Sequence, residues 1–143
     1  MKIPFSPPFI NDSVVREVVD SLESGWITTG PKVKKLESQI CELTGVPETL
    51  CINSWTSGAI LMLKWFGLKP DDEVIIPAYT YSATALAVIH ANAKPVMVDV
   101  SSDFNISLAA IEKAITPKTK VIIPVDIAGW PCDYNAINDL VLR

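Results

Sequence analysis

Residues 53–58 (Asn-Ser-Trp-Thr-Ser-Gly) bring three hydroxyl side chains together where a short apolar run gives way to a helical pattern. If this segment leaves a strand and enters a helix, its hydroxyls and the unpaired N–H groups of the first helical turn form a site for an anion such as phosphate. Ser54 and Thr56 would serve equally well as an ordinary helix cap without a ligand. The segment has neither the Gly-Lys-Ser/Thr of a Walker loop nor the glycines of a dinucleotide fingerprint.

Three further positions carry groups that a site could use. Tyr81 lies in a loop that opens a predicted helix, and its ring would either stack on a flat cofactor or pack in a core. Asp126 follows a predicted strand, but the sequence identifies no partner acid or base for it. His90, the only histidine, lies in a last helical turn and is interpreted as structural. Residues 99–105 lack the glycine of a calcium loop and are interpreted as a turn, so no metal site is predicted.

The elements that position these residues alternate between strands and helices. Short β-branched runs predict strands at residues 50–53, 74–76, 95–99 and 120–125. Helices are predicted at residues 56–66, 82–92, 108–115 and 134–142, with Ser107 and Asp133 as caps of the last two. Serial β-α-β connections predict an α/β fold with a parallel sheet in three layers, in which a ligand lies beyond the carboxyl ends of the strands.

Two helices precede this region. The first is expected to be capped by Asp12 or Ser13 and to stop at Gly25, and the second to run from Pro31 to Gly45. The loop between them contains Trp26 and Ile27. The ordinary interpretation of these two side chains is packing in a core or a subunit interface.

Composition limits the classes of function. The chain has 143 residues, 49% of them hydrophobic, and a formal charge of −4, which predicts one globular domain and argues against nucleic acid or an anionic membrane as partner. No apolar stretch matches a membrane span or a signal sequence. The three cysteines are far apart and form no disulfide or zinc pattern. A cytoplasmic protein is expected.

Five stretches together resemble the DegT/DnrJ/EryC1/StrS family of pyridoxal-phosphate-dependent nucleotide-sugar aminotransferases. They are residues 24–32, 53–58, 72–77, 94–100 and 114–125. The resemblance covers nearly the whole chain and implies that residues 1–143 are the incomplete N-terminal part of a fold type I aminotransferase large domain. It implies a sheet in which the strand at 74–76 lies between those at 95–99 and 120–125.

The resemblance also implies an activity and a site. The parent protein would be a homodimer that aminates a nucleotide-linked 4-keto-sugar, with an amino donor such as glutamate, for lipopolysaccharide or another surface glycan. Thr56 and Ser57 would bind the phosphate of pyridoxal 5′-phosphate (PLP), Ser57 mainly through its backbone N–H, and Tyr81 would stack on the pyridine ring. The sugar pocket would be lined by Phe5, Trp26, Ile27 and Thr28.

The chain departs from the family pattern in three respects. Trp55 takes the place of a small residue and could narrow the cofactor pocket, and Asp126 takes the place of a frequent histidine. The lysine that forms the Schiff base and the aspartate that pairs with the pyridinium nitrogen are expected beyond Arg143. The chain alone is therefore expected to be truncated and inactive. The alternative is a finished, non-catalytic phosphate- or sugar-nucleotide-binding remnant or interaction module.

Overall fold

The computed structural model of the chain describes residues 7–142. Within this range the chain forms six α-helices and three β-strands, in the order α1 (Asp12–Glu23), α2 (Pro31–Thr44), α3 (Trp55–Trp65), β1 (Glu73–Pro77), α4 (Ala83–His90), β2 (Lys94–Val98), α5 (Leu108–Ala114), β3 (Thr119–Ile122) and α6 (Tyr134–Val141). These elements fall into two compact units, described residues 7–51 and 52–142.

The unit of residues 7–51 consists of α1 and α2. The cap of α1 is Asn11, whose side-chain oxygen accepts from the amides of Ser13 and Val14 at 3.1 Å each. The prediction of Asp12 or Ser13 was wrong because the extended backbone of Asn11 places its oxygen under the first turn. α2 begins at Pro31 and ends before Gly45, as predicted. Neither helix contains a buried residue, so this unit has no helical core of its own.

The unit of residues 52–142 is built on a parallel sheet in the order β2-β1-β3. This confirms the central place that the resemblance implied for the strand predicted at 74–76. The ladder between β1 and β3 continues one residue past Ile122, since the amide of Ile123 donates to the carbonyl of Ile75 at 2.9 Å.

Alternate residues of β1 pack into two different hydrophobic cores, one on each face of the sheet. Val74 and Ile76 pack with residues of α3 and α4, and Ile75 packs with residues of α5 and α6. All three are fully buried, and each contributes about 2 kcal/mol of burial free energy. The unit therefore has the three layers that the sequence predicts, a helix pair on each face of the sheet.

The strand predicted at residues 50–53 is not formed. These residues form no ladder with another strand, and Leu50 is 71% exposed. Both edges of β1 are taken by β2 and β3, and no described strand pairs with residues 50–53. Since an extended segment becomes a strand only through a partner, its apolar pattern alone was misleading.

Candidate functional site

A cavity of about 630 Å³ lies in the unit of residues 52–142, beyond the carboxyl ends of β1 and β3. Its walls are the first turn of α3, the loop after β1, and the segment that joins β3 to α6. The lining residues are Trp55, Thr56, Thr80, Tyr81, Ala83, Thr84, Pro124, Val125, Asp126, Ile127, Ala128 and Tyr134. Sequence reasoning predicted a site at this edge of the sheet, and the cavity volume suits a cofactor-sized ligand.

The sequence left open whether the first turn of α3 is a helix cap or an anion site, and the structure is compatible with both. Ser54 caps the helix, because its Oγ accepts from the amide of Ser57 at 3.1 Å. Thr56 is half-buried and lines the cavity. The amides of Trp55 and Thr56 belong to the first helical turn, which lacks acceptors within the helix. Thr56 can therefore hold an anion at this helix terminus.

Ser57 is placed differently from Thr56. It is not among the residues that line the cavity, and its backbone N–H, which the resemblance assigns to the phosphate, donates to Ser54. The two hydroxyls of Ser54 and Ser57 lie 3.0 Å apart. An anion at this terminus would engage the backbone N–H of Ser57 only by replacing the cap bond.

Tyr81 lines the same cavity and its ring is 81% exposed. Packing in a core is therefore excluded within the described chain, and the ring is free to stack on a flat ligand. Its loop is anchored by Thr80 and the buried Thr84, whose hydroxyl oxygens lie 3.0 Å apart. Tyr79 is a different case, since its ring packs against Phe104 with centroids 5.4 Å apart.

Asp126 and Tyr134 form a polar pair on the cavity wall that sequence reasoning did not find. The Tyr134 hydroxyl donates to Oδ1 of Asp126 at 2.9 Å, and the amide of Cys132 donates to the same oxygen at 2.9 Å. The Cys132 bond and then the Tyr134 bond lower the pKa of Asp126. Partial burial and the bond to Asp126 raise the pKa of Tyr134. At neutral pH the proton therefore stays on the phenol, and Asp126 is an anion.

Asn105 fixes the segment that carries Asp126. This buried side chain accepts from the amide of Ile127 at 3.2 Å and donates to the carbonyl of Trp130 at 3.1 Å. It thereby closes a short 3₁₀ turn, Ile127–Gly129, in which Ala128 has a left-handed φ of 51°. The turn predicted at 99–105 is confirmed. The sequence did not predict that Asn105 in this turn holds the loop after β3 by hydrogen bonds.

Trp26, Ile27 and Thr28 line a separate cavity of about 390 Å³ in the unit of residues 7–51. The Trp26 indole donates to the carbonyl of Thr29 at 3.0 Å, and its ring covers Gly30 so closely that any Cβ there would overlap it. Trp26 is 58% and Ile27 is 74% exposed, so neither side chain packs in a core within residues 7–142. An interface role stays a prediction. Phe5, the fourth predicted sugar contact, lies outside the described residues.

Residues 7–142 lack a lysine at the cavity, a cluster of metal ligands and a helix that could span a membrane. Among residues 7–142, no lysine lines the cavity that contains Thr56. The same residues contain no cluster of three or more His, Cys, Asp or Glu side chains suited to a metal ion. None of the helices described between residues 7 and 142 combines the length and the hydropathy that a membrane span requires.

Comparisons with known proteins point to one family. A model of the DegT/DnrJ/EryC1/StrS aminotransferase family matches residues 8–143. The spore coat polysaccharide biosynthesis protein SpsC of Bacillus subtilis is 40% identical over 136 residues, which are 94% of this chain and 35% of that protein.

Among the solved structures of relatives that are similar over 98% of this chain, two illustrate the match. Spr1654 of Streptococcus pneumoniae, assigned as a sugar aminotransferase and solved in its PLP form, has a TM-score of 0.90 and 49% identity over 36% of its own length. The Escherichia coli GDP-4-keto-6-deoxy-D-mannose-3-dehydratase with bound hydrated PLP has a TM-score of 0.90 and 26% identity over 38% of its length. The chain thus spans about a third of the length of the relatives that it matches.

Proposed function

The chain belongs to the DegT/DnrJ/EryC1/StrS aminotransferase family, and we propose that the full-length protein uses PLP to transfer an amino group to a nucleotide-linked 4-keto-sugar. The observation that carries this proposal is one cavity with a helix terminus at Thr56 and an exposed ring at Tyr81. A phosphorylated aromatic cofactor needs this combination of an anion site and a flat stacking surface. The match to SpsC favours a role in the synthesis of a surface polysaccharide.

The residues of the cavity suit PLP. The Thr56 hydroxyl and the first-turn amides of α3 would hold the phosphate, and Tyr81 would lie against the pyridine ring. Trp55 is part of the wall, and the cavity of about 630 Å³ remains open beside it, so the indole leaves room for the group. When bound, PLP supplies the electron sink for amino transfer.

The chain's own residues would bind, orient and shield that group. The dipole of α3 favours a dianion at Thr56, and the Thr80–Thr84 contact fixes the loop that carries Tyr81. The aromatic side chains of Trp55 and Tyr81 would exclude water from the ring. Asn105 holds the opposite loop in one conformation through its two backbone bonds.

The covalent chemistry would come from residues outside this chain. No lysine lines the cavity within residues 7–142, and amino transfer through PLP requires a positioned amine and a carboxylate at the pyridinium nitrogen. We therefore infer that both follow Arg143 in the full-length protein, and that the 143-residue chain binds without turnover. Phe5, Trp26, Ile27 and Thr28 would contact the sugar, in a homodimer.

An assay of the full-length protein tests this proposal. With PLP, glutamate and a panel of nucleotide-linked 4-keto-sugars, we expect an amino sugar by mass spectrometry together with 2-oxoglutarate. Thr56→Val should weaken PLP binding about tenfold, as the loss of a hydrogen bond to a charged group predicts. Thr44→Val is the matched control, because the Thr44 hydroxyl bonds only within α2, to the carbonyl of Ile40.

The same assay distinguishes the alternative. A non-catalytic binding protein, which the lack of a lysine at the cavity would also fit, predicts that the full-length protein binds PLP or a sugar nucleotide but releases no 2-oxoglutarate with any acceptor. Binding of PLP that is equally strong in wild type and Thr56→Val would contradict the phosphate site itself.

A further inference from the structure

The segment after β3 presents hydrogen-bond acceptors to the cavity. The Tyr134 hydroxyl uses its only hydrogen in the bond that it donates to Asp126. Toward a ligand its oxygen can therefore only accept a hydrogen bond. Both bonds to Asp126 go to Oδ1, and neither uses Oδ2. The carboxylate thus keeps an oxygen for a donor from a ligand.

Within residues 7–142, no residue of the cavity wall balances the charge of Asp126. Among the lining residues within the described chain, Asp126 is the only one with an ionisable acid or base other than the two tyrosines. The proposed ligand brings a phosphate, which an unbalanced carboxylate in the same cavity would repel. A cationic group on the ligand would remove this repulsion and gain a charge-assisted hydrogen bond.

The geometry of Asp126 is fixed before any ligand binds. Oδ1 is held by a backbone amide and a phenol, and the adjoining turn is held by the buried Asn105. A preorganised acceptor recognises a donor with little entropic cost. Trp55 and Tyr81 line the same cavity, and the faces of aromatic rings attract cations as well.

We propose that Asp126, held by Tyr134 and Cys132, binds a primary ammonium group of the ligand in this cavity. The proposal rests on the proposed function, which places a phosphorylated cofactor beside Asp126. Two ligands carry such a group, pyridoxamine 5′-phosphate and the amino-acid donor. Asp126 is then a specificity-determining residue that distinguishes an amine from an isosteric group without charge.

The test compares ligands that differ in the amine alone. The full-length protein, freed of cofactor, is titrated calorimetrically with pyridoxamine 5′-phosphate and with 4-deoxypyridoxine 5′-phosphate, which has a methyl group in place of the aminomethyl. A second pair, glutamate and glutarate, is titrated into protein loaded with 4-deoxypyridoxine 5′-phosphate, so that no reaction occurs. We expect wild type to prefer the amine about tenfold in at least one pair.

Asp126→Asn should reduce that preference to twofold or less and should strengthen the binding of the member without the amine, because the carboxylate that repels its anionic groups is gone. Loss of the preference in the first pair identifies the cofactor amine as the bound group, and loss in the second pair identifies the amino donor. Asp133→Asn is the matched control. It removes the same charge from a neighbouring side chain that caps α6, is not part of the cavity lining, and Asn caps equally well.

Two results overturn the inference. One is wild-type protein without preference for the amine in either pair, a result that needs no variant to fold. The other is Asp126→Asn that retains the wild-type preference. If wild type fails to bind 4-deoxypyridoxine 5′-phosphate at all, the proposed cofactor site fails first and the inference fails with it, whereas normal binding of this analogue without amine preference refutes the inference alone.

Discussion

Glu73 is a buried acidic side chain at the amino end of β1, the end of the sheet opposite the cavity. It accepts from the Thr116 hydroxyl at 2.6 Å and from Lys94 Nζ at 3.3 Å. The Thr116 bond, followed by Lys94, holds the pKa of Glu73 below its usual value of 4.5. These contacts make it a structural group, because they satisfy the carboxylate and leave it remote from the cavity.

We predict that Glu73→Gln lowers stability at neutral pH and flattens its dependence on acid. A carboxyl whose pKa is depressed by folding stabilises the native state above 4.5, its usual value, and this contribution disappears as the pH falls through the folded pKa below that value. Urea unfolding between pH 7 and pH 3 measures the difference. The gap between wild type and Glu73→Gln should narrow on acidification.

Glu112→Gln is the control for this prediction, because Glu112 is exposed on α5 and its side chain makes no hydrogen bond or ion pair within residues 7–142. It should track wild type at every pH. A gap for Glu73→Gln that stays constant down to pH 3 would show that the ionised form of Glu73 is not the stabilising species.

Thr56 and Ser57 are adjacent but are expected to respond differently to an anion. Titration of the isotope-labelled protein with inorganic phosphate should shift the Thr56 amide resonance most, because this N–H lies in the open first turn. The Ser57 amide should shift less, because it donates to Ser54 at 3.1 Å. If neither resonance moves at saturating phosphate, the segment is a helix cap and no more.

At the scale of elements, the hydrogen bonds by which Asn105 holds the loop after β3 can be tested directly. Asn105→Ala leaves the Ile127 amide and the Trp130 carbonyl without their partners and should cost about 1–3 kcal/mol of unfolding free energy. Hydrogen exchange of the Ile127 amide should accelerate by more than global destabilisation explains. Asn135→Ala, on the exposed side of α6, is the comparison and should change neither quantity appreciably.

Local patterns predicted most elements because their determinants are local. Ser107 and Asp133 cap α5 and α6 as predicted, each by accepting from the amide three residues later, and the left-handed φ of Gly45 ends α2. Residues 50–53 show where this reasoning stops. A strand is a property of two segments, and an apolar run cannot reveal whether its partner is present.

The residues of the candidate site also fall into those that local sequence predicts and those that depend on contacts between distant segments. Thr56 and Tyr81 were predicted because each lies near the start of a helix that was expected to follow a strand of a parallel sheet. The strand before Tyr81 is formed as β1, whereas the one before Thr56 is not. The bonds of Asp126 to Tyr134 and of Asn105 to Ile127 depend on which loops meet in space, and a single sequence does not contain that information. The available signal for Asp126 was its place directly after a predicted strand.

At the scale of the whole molecule, the unit of residues 52–142 depends on two cores that share β1. Ile75→Val and Ile76→Val remove one methylene from opposite faces of the sheet, and each should lower the unfolding free energy by about 0.5–1.5 kcal/mol. Both side chains are fully buried. Denaturant titration measures the loss, and Ile89→Val, 51% exposed on α4, should cost distinctly less. Equal costs at all three positions would contradict the placement of the cores.

The central position of β1 also suggests an order of events during folding. The pairing of β1 with β2 closes a much shorter stretch of chain than its pairing with β3, and the entropy of loop closure increases with the length that is closed. We expect β1, α4 and β2 to assemble first as a kinetic nucleus, with β3 docking on the free edge afterwards. Pulse-labelled hydrogen exchange during refolding would detect this, because amides of the β1–β2 ladder should gain protection earlier than those of β3.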